Sequence, residues 1–284
     1  MDAFSLLPDH LISSILSFLP LTIAARTSVL SRRWRPLWAH ITAFNVDADR
    51  LFPSDSAKQI RCIDAILSHP QLNILELKIA LSSCTPAPVL ARWAVNLARR
   101  RVTNVGLISV DQPHLALQTL FTSKSLTKLE LQYCKLNNDG SSPLVACSSL
   151  KLIELKAVTT SNETISEILS ACKNLNSLRI EYCSLYSVVV SHQRLECFEL
   201  VTGLSRCDIN IETPNLRELE LDVPCNVKRI RVLAPIVRRS RVGFQSGLLT
   251  CGDLLGSLTG LVAGIENAEE LQLCGAIVQV GGLD

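Results

Sequence analysis

Catalytic chemistry would show first in the histidines, cysteines and carboxylates, and here their spacing does not supply it. His10, His40, His69, His114 and His192 stand apart, and none belongs to an HExxH or a nucleophile motif. The eleven cysteines include no CxxC pair, which argues against a zinc module and implies no metal. No glycine run has the spacing that cradles a phosphate, and no cofactor is implied. The carboxylates are more informative, because they recur at one place in a repeating pattern. That place holds Glu76, Gly106, Glu130, Glu154, Arg179, Glu199, Glu220 and Gln272. Two residues further on stand Lys78, Ile108, Gln132, Lys156, Glu181, Val201, Asp222 and Cys274. A mixed stripe with an acidic bias, strongest from Glu181 to Asp222, can recognise charge rather than break bonds. It would orient a basic segment of a target protein by complementarity. Glu130, Glu154, Arg179, Glu181, Glu199, Glu220 and Asp222 are therefore the candidate target-binding residues. The plainer alternative is that a strand face in water needs solvated residues and glutamate is a common choice.

The stripe presupposes strands, and the apolar residues provide them. Positions 1, 4 and 6 of a pattern recur as Leu72/Leu75/Leu77, Val102/Val105/Leu107, Leu126/Leu129/Leu131 and Leu150/Ile153/Leu155. They continue as Leu175/Leu178/Ile180, Leu195/Phe198/Leu200, Leu216/Leu219/Leu221 and, after a long gap, Ala268/Leu271/Leu273. A period of about 20–30 residues is that of a leucine-rich repeat, each unit giving one short strand. Stacked strands form a parallel sheet on the concave side of a solenoid. Side chains alternate along a strand, so the residue between the second and third pattern positions points away from the core. Cys134 and Cys183 follow the last strand leucine by three residues, where the repeat places a small inward residue, and read as structural.

The connections differ along the chain. Ser56 to Ser68 and Val89 to Leu97 carry apolar residues at helical spacing, and Thr160 with Glu163 forms a capping box before Ile165, Ile168, Leu169 and Cys172. These are outer helices. Leu185 to Val190 and Asp208 to Glu212 fall halfway between main strands and read as convex strands, so the second half is β/β. Gly247 to Ile265, with Leu254, Leu258, Leu261 and Ile265, reads as a one-sided helix rather than a membrane span, because Asp253 interrupts it.

The N-terminal segment is too apolar for its length. Leu7-Pro8-Asp9 starts a helix whose Leu11, Ile12, Ile15, Leu16 and Leu19 make a wide apolar face, and Pro20 ends it. Leu21 to Val29 is a second short helix. Ser31 caps a third, with Trp34 and Trp38 on one face. About 40 residues cannot bury so much alone. The segment must cap a larger domain or meet another protein. A DNA-binding helix pair rests only on Arg32, Arg33 and Arg35, too few for phosphate contacts.

Composition sets the limits. Hydrophobic residues make up 48% and charged residues 19%, which excludes a disordered chain. A net charge of +2 gives no field for nucleic acid or membranes. Without a basic stretch before an apolar run, a secretory signal is not expected, and the cysteines read as reduced thiols in cytoplasm or nucleus.

Leu7-Pro8-Asp9-His10-Leu11-Ile12, Ile15 to Pro20, Ala25 to Trp34 and Leu37-Trp38 resemble an F-box, in the form found in the plant F-box/leucine-rich-repeat family. Arg92-Trp93-Ala94 with Arg99 to Val105, and Ile211 to Leu221, are similar to repeats of that family. The resemblance implies an α/β fold: a three-helix F-box over residues 1–45, then a leucine-rich-repeat solenoid over 46–284. It implies docking onto the Skp adaptor, and through it cullin, in a Skp–cullin–F-box ubiquitin ligase, with the repeats holding an unknown protein target and no catalysis by the chain itself. By motif match, Leu7, Pro8, Ile12, Ile15, Leu16, Leu19, Val29, Leu30 and Trp34 are the adaptor interface or its support. Such chains often continue into further repeats and an FBD module. Ending at Asp284, this one reads as a short or truncated member, and a repeat scaffold without ligase role is the competing expectation.

Overall fold

A computed structural model describes residues 6–19, 21–34, 37, 41–70, 72–81, 85–109, 114–116, 123–137, 147–203, 207–224, 227–245, 260–261, 263–265 and 267–275. The chain forms two compact units, residues 1–134 and 135–284. The α/β expectation holds: helices at the front, then a run of parallel strands.

In the first unit, α1 (Asp9–Ser17) starts where Pro8 turns the backbone and offers its carbonyl to the Leu11 and Ile12 amides. Helix α2 (Leu21–Arg26) runs into a 3₁₀ turn at Thr27–Val29. The Trp34 amide closes a turn on the Ser31 carbonyl, and the Arg33 guanidinium binds Asp9 and the Leu7 carbonyl, tying this turn to the start of α1. Trp38, expected on the same face as Trp34, lies outside the described residues.

Strand β1 (Ala43–Asp47) leads through α3 (Ala48–Leu51) and α4 (Ser56–Ser68) to β2 (Glu76–Leu81), α5 (Ala87–Arg99), β3 (Asn104–Ser109), β4 (His114–Ala116) and β5 (Lys128–Gln132). Strands β1, β2, β3 and β5 are parallel and in register, with Val46, Ile79, Leu107 and Leu131 aligned and buried. Asp55 caps α4 by accepting from the Lys58 amide. On the outer side, Asp64 accepts from Arg92 at 2.6 Å and from the Trp93 indole at 2.8 Å. Arg100 donates to the carbonyls of Leu67, His69 and Leu72, the end of α4 and the residues after it, where helix carbonyls lack partners. The Arg-Trp and triple-Arg segments noted in the sequence thus act here as clamps.

The second unit contains β6 (Lys135–Asn137), β7 (Leu152–Lys156), α6 (Asn162–Ala171), β8 (Ser177–Glu181), β9 (Ser187–Ser191), β10 (Cys197–Val201), β11 (Asp208–Glu212), β12 (Glu218–Pro224), β13 (Arg229–Leu233), β14 (Arg239–Gln245) and β15 (Glu270–Gly275). Strands β7, β8, β10, β12, β14 and β15 make one parallel sheet. Strands β9, β11 and β13 make a second, with Val188, Ile209 and Ile230 aligned and buried. The half-step strands and the β/β second half are as expected.

Several readings change. The first expected repeat is shifted by two residues from Leu72/Leu75/Leu77: Leu75 is exposed, Leu77 and Ile79 are the register partners of Val105 and Leu107, and Lys78 rather than Glu76 shares the row of Gly106. The cap of α6 is Ser161, whose hydroxyl accepts from the Thr164 amide, one residue later than the expected Thr160. The long gap before Ala268 holds a full repeat: β13 on one sheet and β14 on the other. Its pattern is Val237/Ser240/Val242, and the serine in the leucine position hid it. Leu261 and Ile265 are buried as expected, and Gly264 sits so close to β13 that an added Cβ would lie 1.9 Å from the Val232 carbonyl oxygen. Leu254 and Leu258 lie outside the described residues. Among the described residues no helix is long and apolar enough to cross a membrane.

Candidate functional site

Helix α1 carries two apolar stripes rather than one wide face. Ile12 and Leu16 point inward and are buried; Leu11, Ile15 and Phe18, at spacings of four and three, are exposed. Phe18, Val29 and Leu30 are 86%, 88% and 70% exposed, and Leu6 and Ile23 are exposed as well. Of the sequence-derived interface set, Pro8, Ile15, Val29 and Leu30 are exposed, Leu7, Leu19 and Trp34 are half-buried, and Ile12 and Leu16 are the support. Phe18, Leu11 and Ile23 lie outside that set; the 11/15/18 spacing groups Leu11 and Phe18 with Ile15, and no spacing singles out Ile23 on α2. Apolar side chains so exposed and so close in sequence mark an interaction surface.

The open sheet face is the second candidate. In the first unit Lys78, Gly106 and Glu130 share one register row. The Lys78 ammonium reaches Glu130 at 2.9 Å, across the glycine; a Cβ at Gly106 would meet Lys78 Cγ at 3.0 Å. Burial alone would raise the Glu130 carboxyl's pKa, but the Lys78 hydrogen bond and charge reverse this and hold it below the usual range.

In the second unit Arg179, Glu199, Glu220 and Arg241 are register neighbours on β8, β10, β12 and β14. Arg179 pairs with Glu199 at 2.5 Å, Arg241 with Glu220 at 2.8 Å, and Lys156 with Glu181 at 2.9 Å. Arg239 pairs with Glu218. The acidic bias read from the sequence is therefore partly offset by β14, whose arginines that reading left out. What remains is a trough of about 550 Å³ whose lining includes five glutamates and three arginines. Burial raises the Glu199 pKa, and the Glu220 and Glu181 charges add to this against Arg179. Asp222 faces Gly243 in the next row, where an added Cβ would lie 3.3 Å from its Oδ1. At the end of β8, Tyr182 (55% exposed) and Tyr186 (96%) line an apolar notch with Leu185 and Gly203.

Of the remaining reactive groups, Cys134, Cys147, Cys172, Cys183, Cys207 and His192 are buried, while Cys274 and His10 are exposed. Cys134 and Cys183 are buried, and burial pushes their thiols up to about 12 and about 11. Cys147, which the sequence did not single out, is brought down to about 6 by a hydrogen bond from Cys172. His192 Nε2–H donates to the Cys172 carbonyl at 3.0 Å while Nδ1 accepts the Arg194 amide, the neutral form that burial favours. Among the described residues no group of histidine, cysteine and acidic side chains is arranged to hold a metal.

These two surfaces coincide with two family models. Residues 4–41 match the F-box domain, and residues 90–237 match the repeats described as FBD-associated F-box protein At5g56370, LRR repeats. From Arabidopsis thaliana, F-box protein At5g03100 is 28% identical over 99% of this chain and 91% of its own length. F-box/LRR-repeat protein At3g03360 is 28% identical over 85% of this chain, and putative FBD-associated F-box protein At5g56440 is 30% identical over 78%. The chain spans about half the length of these last two, 47% and 54%. With an F-box at its front and family repeats over more than half its length, the chain belongs to the F-box/leucine-rich-repeat family of these plant proteins.

Proposed function

We propose that the chain is a non-catalytic substrate receptor of a Skp–cullin–F-box ubiquitin ligase. The F-box binds the Skp adaptor, and through it cullin, while the open sheet face holds a protein target near the ubiquitin-charged enzyme. The receptor contributes proximity, which is enough to accelerate transfer. The observation that carries the reading is the outward stripe of α1 together with Val29 and Leu30: the buried stripe beside it already serves the chain's own core. A helical cap needs only the inward stripe.

Co-expression with a Skp adaptor tests this. The reading expects the chain and the adaptor to elute as one complex on size exclusion. A chain that is soluble and monomeric alone, with no adaptor co-eluting, would instead favour the repeat scaffold.

A further inference from the structure

We infer that the open sheet face of the second unit takes an extended target segment by a cationic side chain, arginine or lysine, seated between Glu199 and Glu220, with an apolar residue of the same segment against Tyr182 and Tyr186. The inference rests on the receptor reading above and names the chemistry of its target.

Three observations converge. Glu199 and Glu220 stand directly opposite on adjacent parallel strands, where neighbours lie about 4.8 Å apart and like charges repel. Arg179 engages Glu199 Oε2 and Arg241 engages Glu220 Oε1, from the two outer sides. That leaves Glu199 Oε1 and Glu220 Oε2 without hydrogen bonds among the described residues, in a trough where glutamates outnumber arginines. A cation between them would answer both carboxylates at once. Glu199 holds its proton more tightly than a free carboxyl despite its arginine, because burial and then the Glu220 and Glu181 charges disfavour its ionised form.

The second observation is aromatic. Tyr182 has φ 51°, the left-handed turn that the equivalent Tyr133 and Ala157 also adopt at the end of their strands, so the backbone belongs to the repeat; what distinguishes Tyr182 is a ring that is largely exposed. Exposed tyrosines beside an apolar notch are typical anchors of a recognition surface.

The third is spacing. Tyr182 lies three residues beyond Arg179, the register partner of Glu199. That is about 10 Å along the strand direction. The cation also sits about one and a half strands across from β8, about 7 Å, so the two contacts are about 12 Å apart. Because an extended segment shows alternate residues to one face, its apolar residue stands about four positions from its cation.

A phage-displayed random peptide library panned against the full chain, co-expressed with its adaptor, tests the inference. Expected is a consensus with one arginine or lysine and an apolar residue about four positions away. The selected peptides should bind at least about tenfold more weakly to Glu199→Gln/Glu220→Gln and to Tyr182→Asn. Both variants relieve a local cost, so they should unfold no earlier than the native chain. No enrichment, a consensus lacking a cation, or undiminished binding to either variant overturns the inference. Adaptor co-elution, followed on the same preparations, reports on the receptor reading separately.

Discussion

Substituting Val29 or Phe18 by aspartate should abolish adaptor binding while leaving the free chain's stability almost untouched. Fully burying a Val, Leu or Phe side chain stabilises by about 1.5–3 kcal/mol. Phe18, Val29 and Leu30 are 86%, 88% and 70% exposed, so together they offer roughly 4–7 kcal/mol to a partner. Truncating Val29 to alanine removes roughly 1–2 kcal/mol, about tenfold in affinity. Aspartate also strands a carboxylate in an apolar contact, adding about 2 kcal/mol or more, so the loss approaches or exceeds about a hundredfold. In the free chain these side chains are in water, and surface changes move stability by no more than about 0.5 kcal/mol. Leu16→Asp is the contrast: Leu16 is buried, and that change should unfold the unit. Calorimetric titration with purified Skp adaptor and urea unfolding of the free chain measure the two effects. The reasoning fails if Val29→Asp and Phe18→Asp bind within about threefold of native. It also fails if they shift the unfolding midpoint as Leu16→Asp does, since the stripe would then be core.

Arg100→Ala should destabilise the first unit by about 1–3 kcal/mol, because three carbonyls lose their donor; urea unfolding reads it, and a neutral result removes the clamp. Ser240→Ala should stabilise by about 1 kcal/mol, since the buried hydroxyl has no partner among the described residues and sits in a leucine position; calorimetric melting checks it. Glu130 has a lowered folded pKa, so its contribution is present above the unfolded value near 4.5 and is lost as pH falls through the folded one. In Lys78→Met the largest opposing contribution is lost and burial is left against only Lys128 and Gln132, so the folded pKa rises and the Glu130 contribution should shrink. Comparing urea midpoints of native and variant between about pH 3 and pH 6 decides it.

Most of the main strands were legible because their inward residues are leucine, isoleucine, valine or phenylalanine at fixed spacing, and such residues are what a stacked core demands. β1 was not, because no earlier repeat precedes its Phe44 and Val46 to mark the period, and β14 was not, because Ser240 breaks that spacing while the backbone still pairs with β12 and β15. The omission of β14 distorted the reading of the site: it removed Arg239 and Arg241 and made the stripe look more acidic than it is. The α6 cap slipped from Thr160 to Ser161 because adjacent hydroxyl residues are interchangeable in a pattern and only backbone geometry selects one. At the front, composition showed surplus apolar surface but not its direction. The 12/16 and 11/15/18 stripes interleave on one helix, and burial is what separates them.

The two halves of the glutamate stripe handle the same electrostatic problem in opposite ways, and this bears on what the stripe is for. Glutamate chosen only for solvation should settle with whatever cation lies nearest. Glu130 does so: Gly106 clears the path, Lys78 crosses it, and the carboxyl's pKa drops below the ordinary value. Glu199 has an arginine at 2.5 Å and still ends above the ordinary value, because burial penalises its charge and Glu220 and Glu181 add to that. Relief would need only a neutral side chain, so Glu199→Gln should raise the chain's stability at neutral pH. A folded acid with a raised pKa loses stability as pH climbs through the range from its unfolded to its folded value. A residue that weakens its own fold on an open face is what a binding surface requires and a passive one does not. Urea unfolding of Glu199→Gln at pH 7 separates the two: a gain supports a surface kept for a cationic partner, and a loss returns the stripe to ordinary solvation.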